Sequence, residues 1–271
     1  ESEANATVVT GVDGTYSFTL VDNTYNMGVL APADSGYGSS VVNGIVIAGA
    51  DVVQDIVLVS GGNTLSGKIT LPDGTAITNV KVIASPAGTS TNLPPVYTDI
   101  NGDYSYQLSS GNYDLELQIP THSPTIMIGH TFYDISFTTV DVTVDKILNI
   151  TPDMANISGK TTDSNGVGIS SIYIGVSGSY TINGSGFLGF AELGTNYSVL
   201  SDVNGNYSFW VPKHNNYTVM LTPPDGSGFA LTTVAAVDFS VDSTQDFTLA
   251  TATTLSGKIT LPDGTAITNV K

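Results

Sequence analysis

Two stretches carry the spacing at which a calcium loop begins: Asp99, Asn101 and Asp103, and again Asp202, Asn204 and Asn206. Oxygen-bearing side chains at i, i+2 and i+4 can converge on a hard cation, but such a loop also needs a distal bidentate glutamate or further carboxylates. None follows at the right distance, so these residues read first as Asp/Asn turns and only second as calcium ligands. Calcium is the one cofactor the sequence leaves open. The three histidines, His122, His130 and His214, have no partners at the fixed spacing of a zinc site or a catalytic base. Ser185 stands between Gly184 and Gly186, whereas a nucleophile elbow needs glycines two residues away on either side, where this chain has Asn183 and Phe187. With no phosphate loop and no HExxH helix, the chain is not expected to be an enzyme.

Other side chains suit modification or binding. Asn-x-Ser/Thr acceptor triplets stand at Asn5, Asn149, Asn156, Asn183, Asn196, Asn206 and Asn216, most of them between 149 and 216. Trp210, Tyr133 and Tyr173 could stack on sugars, although a core or edge role is commoner for such aromatics. The long stretches Ser85 to Tyr97, Thr121 to Phe132 and Ser177 to Tyr197 suit recognition of surface glycans.

The elements that must carry these residues are strands. Short runs rich in Val, Ile, Thr and Tyr alternate between faces, so Tyr16, Phe18 and Leu20 share one face, as do Tyr104, Tyr106 and Leu108, and Tyr207, Phe209 and Val211. No capped apolar stripe at helical spacing occurs, and the chain is expected to be all-β. Three blocks share one pattern: TGVDGTYSF at 10–18, TDINGDYSY at 98–106 and SDVNGNYSF at 201–209, each followed by a second tyrosine (Tyr25, Tyr113, Tyr217) and a closing strand (54–58, 146–150, 245–249). An opening strand, Ser-Gly-Lys, precedes two of them at 66–68 and 158–160, with Asp73-Gly74 and Asn165-Gly166 behind it as hairpin turns.

The opening pattern then returns once more. Thr64 to Lys81, TLSGKITLPDGTAITNVK, is repeated letter for letter at Thr254 to Lys271. Repeats at fixed periods indicate arrays. Residues 64–153 and 156–251, the latter with a Gly-rich insertion, each hold an opening, a middle and a closing strand. Residues 1–62 lack an opening, and 254–271 are an opening without a block. Joined head to tail, these two pieces make one further module.

At these residues the sequence resembles the carboxypeptidase regulatory-like family, whose pattern runs S-G-x-V-x-D-x-x-G, then T-D-x-x-G-x-Y-x-F, then G-x-Y-x-L; residues 66–74, 98–106 and 111–115 match it. The resemblance implies tandem immunoglobulin-like β-sandwich modules of about seven strands, used in stalks, adhesins and enzyme appendages. Related pilin-type B domains form an internal Lys to Asn crosslink catalysed by a glutamate four residues beyond the tyrosine. Lys68 and Asn149 lie on plausible first and last strands, but the catalyst's position holds Leu117, and in the other blocks Val29 and Leu221. Glu116 falls three residues after Tyr113, on the opposite face, so no crosslink is expected.

Composition narrows the function. A net charge of −17 with seven lysines and no arginine excludes a nucleic-acid partner and disfavours anionic lipid. There is no cysteine, hence no disulfide or thiolate site. No apolar run reaches the ~20 residues of a membrane span, and no leader-like segment opens the sequence at Glu1, so such a segment is expected to have been removed or to lie outside it. The expectation is an extracellular or cell-surface structural repeat, a fibre or stalk whose partners are copies of itself. Leu255, Lys258, Ile259, Ile267 and Val270 would carry the head-to-tail joint, either as a covalent tandem array or by donated strands. The alternative is an adhesin that binds glycan or another cell through its loops.

Overall fold

The computed structural model describes residues 6–120, 132–177, 198–253 and 256–268. Every regular element among them is a β-strand. In 63–150 an opening strand, Asn63–Lys68, lies between the antiparallel middle strand Asp103–Leu108 and the parallel closing strand Lys146–Ile147. The facing sheet runs Phe132–Asp141, Asn112–Pro120, Lys81–Pro86 and Val96–Tyr97, with every pairing antiparallel. Alternate residues point between the sheets, so Leu65, Ile69, Tyr104, Tyr106 and Leu108 meet Val82, Ala84, Leu115, Leu117 and Ile119 in one buried core.

Residues 154–251 repeat the plan. Met154–Thr162 lies between Asn206–Pro212 and the short closing pieces Ser243–Thr244 and Phe247–Thr248. The second sheet runs Ser198–Leu200, Tyr173–Ser177, Tyr217–Thr222 and Thr232–Val237. Each segment is thus an immunoglobulin-like sandwich of three plus four strand positions. The recurring second tyrosine fixes the corner after each middle strand: Tyr113 donates to Ser109 O (2.9 Å) and Tyr217 to Pro212 O (2.6 Å). The connection between the two sandwiches is short: Ile150 still bridges to Ile69, the next strand begins at Met154, and Met154 and Ala155 are both buried.

Residues 6–62, the head, depart from expectation. They form a hairpin, Asn23–Val29 with Ser40–Ile47, and a short pair, Tyr37–Gly38 with Val59–Ser60. The predicted strands at 16–20 and 54–58 join no ladder. Their counterparts in the sandwiches flank an opening strand and hydrogen-bond to it, and no opening strand lies there among the head's described residues. The alternation survives: Tyr16, Phe18 and Leu20 are half-buried while Ser17 and Thr19 are exposed. Tyr25 still makes the corner bond, to Val21 O (2.9 Å).

The head is anchored on its neighbour. Buried Ser39 donates its N–H to Gln107 O (3.1 Å) and accepts at its carbonyl from the Ser109 hydroxyl (2.9 Å). A methyl group on Gly28 would lie 2.4 Å from Asn92 O, so glycine is required for this approach.

Candidate assembly site

The calcium-like spacing turns out to cap hairpins. Asp99 Oδ1 accepts the N–H groups of Asn101 (2.8 Å) and Asp103 (2.9 Å); Asp202 Oδ1 accepts those of Asn204 and Asn206, both at 2.8 Å. These donors, the Asp103 and Asn206 N–H groups foremost, hold the two carboxyls below the ordinary carboxylate value. Asp103 turns instead to Lys68 Nζ at 3.5 Å. Among the described residues no group of three or more His, Asp or Glu is arranged to hold a metal ion.

Lys68 and Asn149 are neighbours, but in another way than a crosslink needs. The Asn149 side-chain oxygen accepts the backbone N–H of Lys68 at 2.9 Å, while the Lys68 ammonium faces Asp103. Glu116 lies on the face opposite buried Tyr113, Leu115 and Leu117, as its spacing predicts. Of the acceptor asparagines, Asn149, Asn206 and Asn216 are exposed and Asn156 is half-buried on the opening strand; Asn5, Asn183 and Asn196 lie outside the described residues. Trp210 is buried, Tyr173 is exposed, and the Tyr133 side chain lies outside the described set. Within 85–97, Thr91 and Leu93 are buried, Thr91 donating to Asn43 of the head at 2.6 Å, while 87–90, Asn92 and Tyr97 are exposed. Residues 121–131 and 178–197, the other two long stretches, lie outside the described residues.

What the strands do bring together is a repeated seat for the opening strand. In 63–150 the closing stretch supplies side-chain oxygens as well as backbone: Thr64 N–H goes to Asp145 Oδ1 (2.8 Å), Lys68 N–H to Asn149 Oδ1 (2.9 Å), and Leu148 N–H returns to Ser66 O (2.7 Å). In 154–251 the same bonds run from Asn156 to Asp242 Oδ1 (2.9 Å), Lys160 to Asp246 Oδ1 (2.8 Å) and Gln245 to Ser158 O (2.8 Å). The glycine between them has no room for a side chain. A methyl group on Gly67 would lie 2.0 Å from Leu148 O, and one on Gly159 would lie 1.9 Å from Gln245 O. Beneath each glycine a buried tyrosine hydroxyl reaches the same carbonyl: Tyr104 to Leu148 O (2.8 Å) and Tyr207 to Gln245 O. Burial pushes both phenols well above their ordinary value. The turn glycine closes the seat, since Gly102 O accepts Ile69 N–H (2.9 Å) and Gly205 O accepts Thr161 N–H (2.8 Å).

The head carries these groups in the same order. Tyr16 donates its hydroxyl to Gln54 O, the bond that Tyr104 and Tyr207 make elsewhere. Gly14 ends its turn with φ +81, as Gly102 and Gly205 do with +78 and +84. Counted from Gln54, Asp51 and Asp55 occupy the places of Asp145 and Asn149, and of Asp242 and Asp246. Both carboxylates are exposed, and among the described residues neither has a hydrogen-bond or ion-pair partner. The closing ranges 54–58 and 146–150 set Gln54 level with Lys146; the tyrosine bonds set it level with Leu148, two residues on. A D-x-x-x-D/N spacing shared by all three closing stretches is the signal that marks Asp51 and Asp55 in the sequence.

The tail repeats the opening-strand sequence. Its turn is formed as in the first copy: Leu261 N–H bonds Thr265 O and Leu71 N–H bonds Thr75 O, both at 2.8 Å, and Gly264 and Gly74 share φ +87. Its apolar side chains are in water. Ile259, Leu261 and Ile267 are 58%, 47% and 39% exposed, where their twins Ile69, Leu71 and Ile77 are 0%, 2% and 3%. Lys258 is exposed as well, and no atom lies near where a Gly257 methyl group would stand. Leu255 and Val270 lie outside the described residues.

No family model matches the chain, so the carboxypeptidase regulatory-like resemblance rests only on the residues that carry it. No curated protein matches either. Among solved structures it is similar to the shaft pilin SpaA of Lactobacillus rhamnosus GG, at 12% identity and a TM-score of 0.35, over 72% of this chain and 100% of that one. It is also similar to GBS52, a minor pilin of Streptococcus agalactiae, at 12% identity and a TM-score of 0.34, over 73% and 100%. A fragment of a 3-chlorocatechol 1,2-dioxygenase from Rhodococcus opacus 1CP matches at 8% identity and a TM-score of 0.28, over 37% and 61%. Similarities this low bear on neither assembly nor binding.

Proposed function

We propose that this chain is a structural repeat unit of an extracellular filament, fibre or stalk, joined head to tail through 254–271 and the head. One observation carries the reading: the apolar side chains of one repeated sequence are buried in 66–78 and exposed in 256–268, while the head presents both flanks of the seat which that sequence occupies in 63–150. Covering Ile259, Leu261 and Ile267 removes apolar surface from water, at about 1.5–3 kcal/mol for each fully buried side chain of this size. Because donor and acceptor surfaces differ, each join leaves one of each free and growth continues as a line. Short connections and the anchored head limit bending between modules. Placement outside the cell accords with a surface poor in charge and rich in acceptor asparagines. No helix among the described residues is long and apolar enough to cross a membrane.

The test is assembly of the purified chain, followed by sedimentation and electron microscopy. We expect concentration-dependent linear particles that disappear when 254–271 is deleted. A chain that stays monomeric at high concentration and ignores an added peptide of the tail sequence overturns the reading. Boiling isolated filaments in detergent then separates the two forms of the joint. A band near 28.1 kDa means subunits linked by an exchanged strand, and a band many times larger means one covalent array.

A further inference from the structure

The apolar pattern of an opening strand cannot by itself choose its register, because a slip of two residues keeps the same side chains on the core face. In both sandwiches the choice is made by one glycine lying against a tyrosine-bridged carbonyl, with side-chain oxygens on either side taking backbone N–H groups. The head has this device with the strand itself supplied from nowhere in its described residues.

We propose, building on the filament reading, that Tyr16, Gln54, Asp51 and Asp55 form a register clasp for the tail of a second copy of this chain. Gly257 of the incoming strand lies over the Tyr16–Gln54 bridge, opposite Tyr16, as Gly67 lies opposite Tyr104. Asp55 accepts the N–H of Lys258 and Asp51 that of Thr254, the bonds that Asn149 and Asp145 make to Lys68 and Thr64. Gly14 O accepts the N–H of Ile259, as Gly102 O does for Ile69. A slip of two residues would set Leu255 or Ile259 against the Gln54 carbonyl, where the sandwiches tolerate no Cβ. The second copy is the fitting occupant because its sequence fills the equivalent seat in 63–150 letter for letter.

The experiment uses the full chain carrying Gly257→Val, so that its own tail cannot dock, and a fluorescent peptide of residues 253–268. We expect the peptide to bind, and the same peptide with Gly257→Val to fail. In the acceptor, D51A/D55A should weaken binding about tenfold or more, whereas D51N/D55N should stay within about threefold, since an amide oxygen serves at Asn149. Both carboxylates are exposed, and circular dichroism and melting of the variants should match the parent. The chain has no cysteine, so register can be read by disulfide trapping. T15C in the acceptor should capture a K258C peptide, matching the Lys68 and Asp103 pair, and should not capture S256C or T260C. Equal binding by D51A/D55A, or capture at 256 or 260, overturns the clasp. If the peptide fails to bind while the wild-type chain still forms filaments, the clasp falls and the filament reading stands; if neither occurs, both fall.

Discussion

Residues 64–81 and 254–271 have one sequence and two environments. In the first, Ile69, Leu71 and Ile77 are sealed between sheets; in the second, the same side chains face solvent. Both form the same Asp-Gly turn with the same bonds, so the turn is a local property of the sequence. The strand ahead of it is a ladder member at Asn63–Lys68 and is unpaired from 256 to 259, so the strand depends on its neighbours. Propensity makes the hairpin turn; only a partner edge makes the sheet.

Paired substitutions at equivalent positions test this difference most directly. Gly67→Val forces a side chain into Leu148 O and should cost about 3 kcal/mol or more in thermal or urea unfolding. Gly257→Val should leave the melting curve unchanged while abolishing assembly; equal losses from both would mean the tail is already docked. Ile69→Ala should destabilise by about 2–5 kcal/mol, and Ile259→Ala in the monomer by no more than about 0.5 kcal/mol. Amide exchange should find the N–H groups of Ile69 and Lys68 protected and those of Ile259 and Lys258 fast, with protection gained on polymerisation. The smallest effect concerns the hairpin carboxylates. Asp99 and Asp202 are held below the ordinary carboxylate value by backbone donors, so their contribution is present at neutral pH. It is lost as pH falls through their lowered folded-state values. D99A should therefore lower the melting temperature at neutral pH and by less in strong acid, whereas the head, which has Gly11 at that place, should show no such difference for G11A.

Much of the sandwich was legible. Tyr104, Tyr106 and Leu108 alternate as a half-buried strand must, and the second tyrosines marked the corners. The failures were non-local. Nothing within 16–20 or 54–58 distinguishes a strand with a partner from one without, because ladder formation depends on a segment far away in sequence. The closing stretches were aligned two residues out for a related reason: a pattern of period two is unchanged by a shift of two, and only the bonds from Leu148 and Gln245 fix it. In the sequence, only their spacing sets Asp51 and Asp55 apart from other carboxylates. Their meaning came from Asp145 and Asp242, seen bonding to backbone.

The parallel pairing of first and last strands sets how each module bears tension. The chain enters 63–150 at the start of the opening strand and leaves at the far end of the closing strand, and these two run side by side in the same direction. Pulling on the ends therefore slides one strand along the other and loads their bonds together, where an antiparallel edge would peel open one bond at a time. A tail seated between 16–20 and 54–58 would be loaded in this same shearing direction. The joint would then yield at forces comparable to those that unravel the modules it connects.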